Sequence, residues 1–516
     1  MEEKRSSFGS NFGFLMAAIG SAVGLGNIWG FPYKMGKSGG FTFLIIYLLL
    51  AVFVGLIVMV SELALGRKTG KNVVDAYYAV SKKFKWIGWL GALSPFLVMA
   101  FYSALGGYCL QYLSLNLAEL SFGLSGIFGQ SITGSATFAA MLTNPFGCFV
   151  FTLLFMLVSM MIVQGGVSGG IEKFNKVGMP ALAIMVLIVI IRALTLPNAV
   201  EGLKFMFVPG YAVKAGFIEE APGLISVLAT AGGQMFFSLS LAMGAILTYG
   251  SYLSKEENLV SNSITIVIAD TCIALMAGLA VIPAAVANGI NNGIPVGEIK
   301  LNGPKLLFVT LQDVFSNMGK AGPLFGVIFY LLVSLAALST SISLIEAVGA
   351  HWIDKDLESG KGDTRKRVIL VVSLLIMAAG TLVAVDGLGE NGIYPAFFLG
   401  IPQGDAPVFL QDWLDFMDCW SEGIAMPIGA MFMALMIGWE LSPKLVLDEV
   451  GKFATKGFSA LYSVCVRFVV PIVIAFILAG QMIDFFGGPS ALWYVVAFAI
   501  MVVFWIFAAS GSKQKN

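Results

Sequence analysis

The sequence predicts an all-helical protein that crosses a bilayer many times. Three observations carry this expectation. Hydrophobic residues make up 58% of the 516-residue chain and charged residues only 12%, with a mean hydropathy of +0.89, far from the balance of globular domains. Apolar runs of about 20 residues, the length that crosses a hydrocarbon core, recur at twelve places. Two of these runs are interrupted mid-membrane by clustered glycines and hydroxyls. Formal net charge is zero, so no global field recruits nucleic acid or acidic partners.

The first run, 11–36, follows a short polar segment and is too long for a signal-peptide core, so it is expected to remain as a span. Between Ile19 and Gly30 it reads IGSAVGLGNIWG, with Gly20, Gly24 and Gly26 inside two turns. Glycine costs ~1 kcal/mol relative to alanine in a helix interior, so this backbone is easily unwound. Unwound backbone survives in a bilayer only where protein or water covers it. Its freed carbonyls then suit a cation and its freed N–H groups a carboxylate. Gly20-x-x-x-Gly24 also fits close helix packing, so the segment alone leaves both readings open.

The next four spans are expected at 41–66, 86–117, 146–164 and 174–196. Then follow 221–253, 260–286, 322–352, 368–387 and 415–440, and finally 459–484 and 491–510. Basic residues mark one side of the membrane: Lys4 and Arg5; Arg67, Lys68, Lys71, Lys82, Lys83 and Lys85; Lys361, Arg365, Lys366 and Arg367; Lys513 and Lys515. The connections 118–145 and 388–414 contain no lysine or arginine. The asymmetry predicts that both termini are cytoplasmic. The connection 287–321 carries an amphipathic run to Phe315 that reads as a helical hairpin, either a structured loop or a lid over a solute path.

In the sixth span, Gly232-Gly233-Gln234-Met235-Phe236-Phe237-Ser238-Leu239-Ser240 continues to Gly244 and again places glycines and hydroxyls mid-membrane. If spans 1–5 and 6–10 are repeats of opposite topology, spans 1 and 6 correspond. Paired interruptions at matching places point to a transporter site near the bilayer midplane. Other chemistries find little support. Cys109, Cys148, Cys272, Cys419 and Cys465 are scattered singly and His351 is the sole histidine, so a disulfide scaffold, a zinc site and an enzyme's reactive constellation are not expected. No span carries a polar stripe from end to end, as a channel requires. Gly24-x-Gly26 interrupts a span instead of following a strand, so it is no dinucleotide fingerprint.

Gly24-Leu25-Gly26-Asn27-Ile28-Trp29 followed by Phe31-Pro32-Tyr33 and Gly39-Gly40, together with Gln234-x-Phe236-Phe237-Ser238-Leu239-Ser240, resembles the signatures of the neurotransmitter:sodium symporters, most closely their bacterial LeuT-type amino-acid transporters. The resemblance implies a 5+5 inverted-repeat fold of twelve transmembrane helices with helices 1 and 6 broken, working by alternating access. It divides the chain into an N-terminal gate segment (1–10), a first repeat (11–196), a second repeat (221–440), two further helices (459–510) and a tail (511–516).

It also implies a site. One sodium ion would take the Ala22 carbonyl, Asn27, Ser238 and Asp270, all oxygen donors as a hard cation requires. The family often carries asparagine where this chain has Asp270, and its chloride-dependent members carry a serine one turn later, where this chain has Ala274. A fixed carboxylate at Asp270 supplies the negative charge that chloride brings elsewhere, so chloride-independent transport is expected; the alternative is a packed, protonated acid. A second sodium would lie between the carbonyls of Gly20 and Val23 on span 1 and Ala336, Ser339 and Thr340 on span 8. Without the resemblance, those hydroxyls read more readily as bonding the carbonyls of their own helix. The amides of Leu25 and Gly26 and the Tyr102 hydroxyl would hold a carboxylate. Gly24 beside them carries no acid, unlike the monoamine carriers of the family, which favours a substrate with an α-carboxylate. Carbonyls of Ala22, Phe237 and Ser238 would take an ammonium, with help from Ser240. Val98, Tyr102, Phe237, Ser240, Met243, Thr340 and Leu344 would line an apolar side-chain pocket.

For the gates, Arg5 and Asp354 match the family's inner ion pair. The outer gate departs from the pattern: Gly30 stands where an arginine is usual, leaving Asp418 without that partner. Lys34, one turn on and on the same helix face, is expected to reach Asp418. Otherwise closure rests on Tyr102 and Phe237 alone, or the vacated space serves an unusual solute. Glu62 and Glu346 read as structural acids hydrogen-bonded between helices, with proton carriage the alternative. The expected function is sodium-coupled import of a hydrophobic or aromatic amino acid across the cell (inner or plasma) membrane. Two sodium sites, no organic cofactor, no nucleic-acid partner and a monomer or weak dimer in the lipid bilayer complete the expectation. The alternatives are a proton-coupled or uncoupled carrier on the same fold, or a non-transporting sensor.

Overall fold

The computed structural model describes residues 7–123, 134–299, 301, 303, 305–361 and 364–512. Among them every regular element is helical. Ten helices are long and apolar enough to cross a bilayer. These are Phe41–Thr69, Lys85–Phe122, Pro145–Gln164, Val167–Leu194, Leu259–Asn291, Gly319–Glu358, Arg365–Asp386, Trp413–Leu441, Lys456–Phe486 and Ser490–Ser510, here spans 2–5 and 7–12. Span 1 is the pair Asn11–Ala22 and Gly26–Lys37, bent by 47°. Span 6 is divided into Leu224–Ser238 and a short half, Ala245–Gly250.

Several helices outrun the apolar windows read from the sequence. Span 3 reaches Phe122, span 7 Asn291 and span 8 Glu358. Their ends carry polar and charged residues, which extend a helix beyond hydrocarbon without any cost in burial. Where the sequence predicts a helical hairpin in the 287–321 connection, the described residues form one helix, Leu306–Ser316, beginning as a π-turn and lying between the short 3-10 turns Val296–Glu298 and Gly319–Ala321. It is anchored by Phe308, whose ring lies 5.1 Å from Tyr112, 5.9 Å from Phe138 and 6.1 Å from Tyr108.

Spans 3 and 8 form the most extensive helix pair, and spans 1 and 6 pack against spans 2, 5, 7, 8 and 11. Glycine permits the closest approaches. A Cβ on Gly66 would stand 2.0 Å from the Leu247 carbonyl oxygen, and one on Gly20 2.0 Å from Asn175 Oδ1. The two breaks are therefore held by protein on all sides, the condition under which irregular backbone is tolerated at membrane depth.

Candidate solute and cation site at the paired helix breaks

The break in span 1 is closed locally by its own sequence. Asn27 Oδ1 accepts the Gly24 amide at 3.0 Å, and the Gly24 carbonyl accepts the amides of Asn27 and Ile28 at 3.2 and 3.3 Å. Asn27 thus ties the second half-helix back to the break, and its side chain is committed there. The span 6 break has a stranger backbone. Ser240 and Ala242 adopt φ of 51° and 58°, and Gly244 70°. Left-handed conformations in non-glycine residues are strained and persist only where surroundings over-determine them. Here the surroundings are explicit: Glu62 Oε1 accepts the Ala242 amide at 3.1 Å, and Ser240 Oγ donates to the Ser21 carbonyl at 2.8 Å.

Two clusters of oxygen atoms meet at these breaks. In the first, Asn27 Nδ2 donates to Asp270 Oδ1 at 2.7 Å and to Ser238 Oγ at 3.0 Å, while Ser238 Oγ lies 3.0 Å from both Asp270 carboxylate oxygens. Tyr47 adds its hydroxyl to Asp270 Oδ2 at 3.2 Å, a contact that no local pattern announces because it comes from span 2. In the second, Ser339 Oγ donates to the carbonyls of Val23 at 3.2 Å and Ala336 at 2.8 Å. Thr340 Oγ1 lies 3.4 Å from the Gly20 carbonyl and 3.1 Å from that of Ser21. The first set offers carboxylate and hydroxyl oxygens beside the Asn27 amide nitrogen and the second carbonyl and hydroxyl oxygens, a chemistry that suits a hard cation better than a transition metal.

Between the clusters the Leu25 amide donates to the Tyr102 hydroxyl at 2.8 Å. Gly24 has no room for a side chain: a Cβ would stand 2.4 Å from Tyr102 OH and 2.3 Å from Thr340 Oγ1. Gly26 is equally confined, 2.7 Å from Phe237 Cδ1 by the same construction. Phe237 faces Tyr102 with ring centroids 6.4 Å apart. Val98, Met243 and Leu344 lie in the same buried core, and Ala22, Val23, Leu25, Asn27, Ser238, Ser240 and Asp270 are no more than 2% exposed. The geometry therefore gathers hydroxyls, amides and carbonyls in a site closed to solvent, walled by aromatic and aliphatic groups.

At the end of the bundle opposite the basic connections, the structure departs from expectation. Lys34 Nζ pairs with Glu422 Oε1 at 2.6 Å and not with Asp418, whose Oδ1 is buried without a hydrogen bond. The reason is spatial. Gln234 fills the side that Gly30 leaves bare, its Oε1 2.7 Å from where a Cβ would stand, and the Lys34 stem reaches the carboxylate one helical turn past Asp418. Glu422 follows Asp418 at i+4, a same-face spacing that the sequence displays. A cavity of about 300 Å³ beside the pair is lined by Tyr33, Asp415, Asp418 and Asp484 among others.

At the basic end, Arg5 lies outside the described residues. Asp354 Oδ2 accepts Asn72 Nδ2 at 2.9 Å and the Asn72 amide at 3.3 Å. Glu346 accepts Tyr252 OH at 2.9 Å and pairs with Arg365. Glu172 holds the start of span 1 through the Gly9 amide at 2.7 Å, and Phe8 packs on Phe14 and Tyr249, each at 5.5 Å. Glu172, Asn72 and Glu422 make contacts that sequence reading does not find.

Comparison with known proteins points one way. The description of the sodium:neurotransmitter symporter family matches residues 5–124 and 142–513. The uncharacterized sodium-dependent transporter YhdH of Bacillus subtilis (strain 168) is 33% identical over 477 residues, covering 92% of this chain and 97% of the relative. The sodium- and chloride-dependent glycine transporter 1 of Xenopus laevis is 22% identical, covering 93% of this chain and 79% of the relative. Among solved structures, MhsT in complex with L-phenylalanine superposes with a TM-score of 0.77 at 31% identity, covering 93% of this chain and 100% of that one. It shares the LeuT-type arrangement of helices. The chain belongs to the sodium:neurotransmitter symporter family, and is a multi-pass, sodium-coupled membrane transporter and not an enzyme.

Proposed function

We propose that this protein imports a hydrophobic or aromatic L-amino acid together with two sodium ions, without a requirement for chloride. The observation that supports it is the meeting of two oxygen-rich clusters at the broken helices, one of them built on a buried carboxylate, Asp270. In this reading the Ala22 carbonyl, Asn27, Ser238 and Asp270 hold one ion, and Gly20, Val23, Ala336, Ser339 and Thr340 the other. The Leu25 and Gly26 amides and the Tyr102 hydroxyl take the amino acid's carboxylate, helped by the positive end of a half-helix. Carbonyls of Ala22, Phe237 and Ser238 take its ammonium. Val98, Phe237, Met243 and Leu344 favour an apolar side chain, and deformable methionine suits a large one; the L-phenylalanine bound to MhsT supports the same class. Asp270 supplies the fixed negative charge, and Ala274 offers no hydroxyl for chloride.

Import follows if the basic end faces the cytoplasm, as the charge asymmetry argues, with 11–196 and 221–440 as the two repeats. Opening the Lys34–Glu422 end admits solute from outside; opening the Glu346–Arg365 and Asp354 end releases it within. Each sodium moving through ~100 mV gains ~2.3 kcal/mol and a tenfold gradient adds ~1.4 kcal/mol. Two ions then drive roughly 7 kcal/mol of uphill transport. A thermal-shift screen of the twenty amino acids, with and without sodium, tests the reading, because ligands of the native state stabilise it by mass action. Stabilisation by apolar amino acids only when sodium is present supports it. Sodium-independent shifts, or preference for charged solutes, contradict it.

A further inference from the structure

Far from the helix breaks, Arg467 stands in the middle of a hydrophobic helix face in a way the transport site does not explain. Spans 10 and 11 each contain a π-turn, Met436–Leu441 and Cys465–Val469, and the two face one another. Such turns interrupt the regular ladder and occur often at functional sites. Here each gives a carbonyl to the other: Arg467 Nε donates to the Gly438 carbonyl at 3.0 Å, and Trp439 Nε1 to the Arg467 carbonyl at 3.2 Å. Gly438 permits the contact, since a Cβ there would stand 3.0 Å from Arg467 Cγ. The guanidinium is thus fixed by Nε alone. Among the described residues its two terminal nitrogens have no hydrogen-bond acceptor and no carboxylate partner. The neighbouring acid does not serve: Glu440 accepts Ser81 Oγ at 2.9 Å instead.

Arg467 stands at the edge of an apolar groove of about 170 Å³ between spans 10, 11 and 12, framed by Trp439 and Trp505 with Phe468, Ile472 and Met501 along it. The two indoles meet edge to face at 5.3 Å. Tryptophans are enriched at the membrane–water boundary. Depth is fixed by two contacts with the first basic connection, Ser81 to Glu440 and Lys83 Nζ to the Phe507 carbonyl at 3.2 Å. Arg467, bonded to Gly438 two residues before Glu440, therefore lies toward the basic side of the bundle. An arginine inside an apolar span is costly unless it meets a partner, and guanidinium forks match phosphate oxygens.

We propose that this groove binds an anionic membrane phospholipid, its phosphate held by the terminal nitrogens of Arg467 and its acyl chain lying along Phe468, Ile472 and Met501. Native mass spectrometry of the full chain released from nanodiscs of equal phosphatidylglycerol and phosphatidylcholine tests it. The wild type should retain phosphatidylglycerol over phosphatidylcholine by about fivefold, the preference that one interfacial basic residue confers. Arg467→Gln should lose that preference, and Arg467→Lys should keep only part of it, having charge without the fork. Should Arg467→Gln fail to fold, photo-crosslinking of phosphatidylglycerol to the wild type reads the same contact, with labelling of segments 435–441 and 501–505 expected. Equal retention by wild type and Arg467→Gln, labelling confined to other segments, or displacement of the lipid by millimolar inorganic phosphate would each overturn the proposal.

Discussion

Replacing Asp270 by asparagine keeps the shape of the side chain and removes its charge. The wild-type carboxylate faces three donors, Asn27 Nδ2 at 2.7 Å, Ser238 Oγ at 3.0 Å and Tyr47 OH at 3.2 Å. A cation bound at Ser238 Oγ, itself 3.0 Å from both carboxylate oxygens, would sit within about 4 Å of the carboxylate charge, worth up to ~4 kcal/mol at an effective dielectric near 20. Asparagine still offers one oxygen, so part of the attraction is regained as a neutral ligand. A net loss of about 1.5–3 kcal/mol is expected, comparable to a charge-assisted hydrogen bond. That corresponds to roughly 10- to 150-fold weaker sodium binding. The assay is the sodium dependence of thermal stability in purified protein, run in chloride-free buffer with and without saturating phenylalanine. Because the proposed sites for the first ion and the amino acid share Ala22 and Ser238, Asp270→Asn should weaken both ligands, each through the other. Sodium affinity within twofold of wild type would refute the assignment of Asp270 as a ligand.

Other substitutions separate the parts of the site. Ser339→Ala removes the hydroxyl that links the Val23 and Ala336 carbonyls; losing one such group costs about 1 kcal/mol, or roughly fivefold in sodium affinity. With sodium saturating, its amino-acid affinity should stay at the wild-type value in a binding titration. Gly24→Ala forces a methyl to within 2.4 Å of Tyr102 OH and Thr340 Oγ1. Overpacking of this kind costs about 1–3 kcal/mol, and should be read as a loss of phenylalanine binding with the protein still monodisperse. Lys34→Gln strands the buried Glu422 carboxylate; breaking such a pair costs about 3–5 kcal/mol. Its lower thermal midpoint should be largely restored in the Lys34→Gln/Glu422→Gln double variant, and no restoration would show that the pair is not what holds that end.

The fold was legible because its strongest signals are local. Glycines at 20, 24 and 26 and the 232–244 stretch mark where helices stop, and hydropathy places the rest. Asp270 and Ser339 stand on spans 7 and 8, and their place beside the breaks is an expectation from the family resemblance, not from those segments. Lys34 shows the limit of such reading. Its helix face is apparent from spacing, yet choosing between Asp418 and Glu422, one turn apart on span 10, depends on how far a four-carbon stem reaches across to that helix. Tyr47 and Glu62 reach the breaks from span 2, and Glu172 reaches Gly9 across 163 residues. No pattern along the chain encodes contacts of that separation. The π-turns at Met436–Leu441 and Cys465–Val469 are invisible to a 3.6-residue period, since one extra residue in a turn does not alter composition.

The most direct test of sodium-coupled amino-acid symport is uptake of radiolabelled L-phenylalanine into proteoliposomes under an imposed inward sodium gradient. The account predicts concentrative uptake that disappears when external sodium is replaced by potassium and persists when chloride is replaced by gluconate. Uptake that is indifferent to sodium, or that collapses in gluconate, would contradict it.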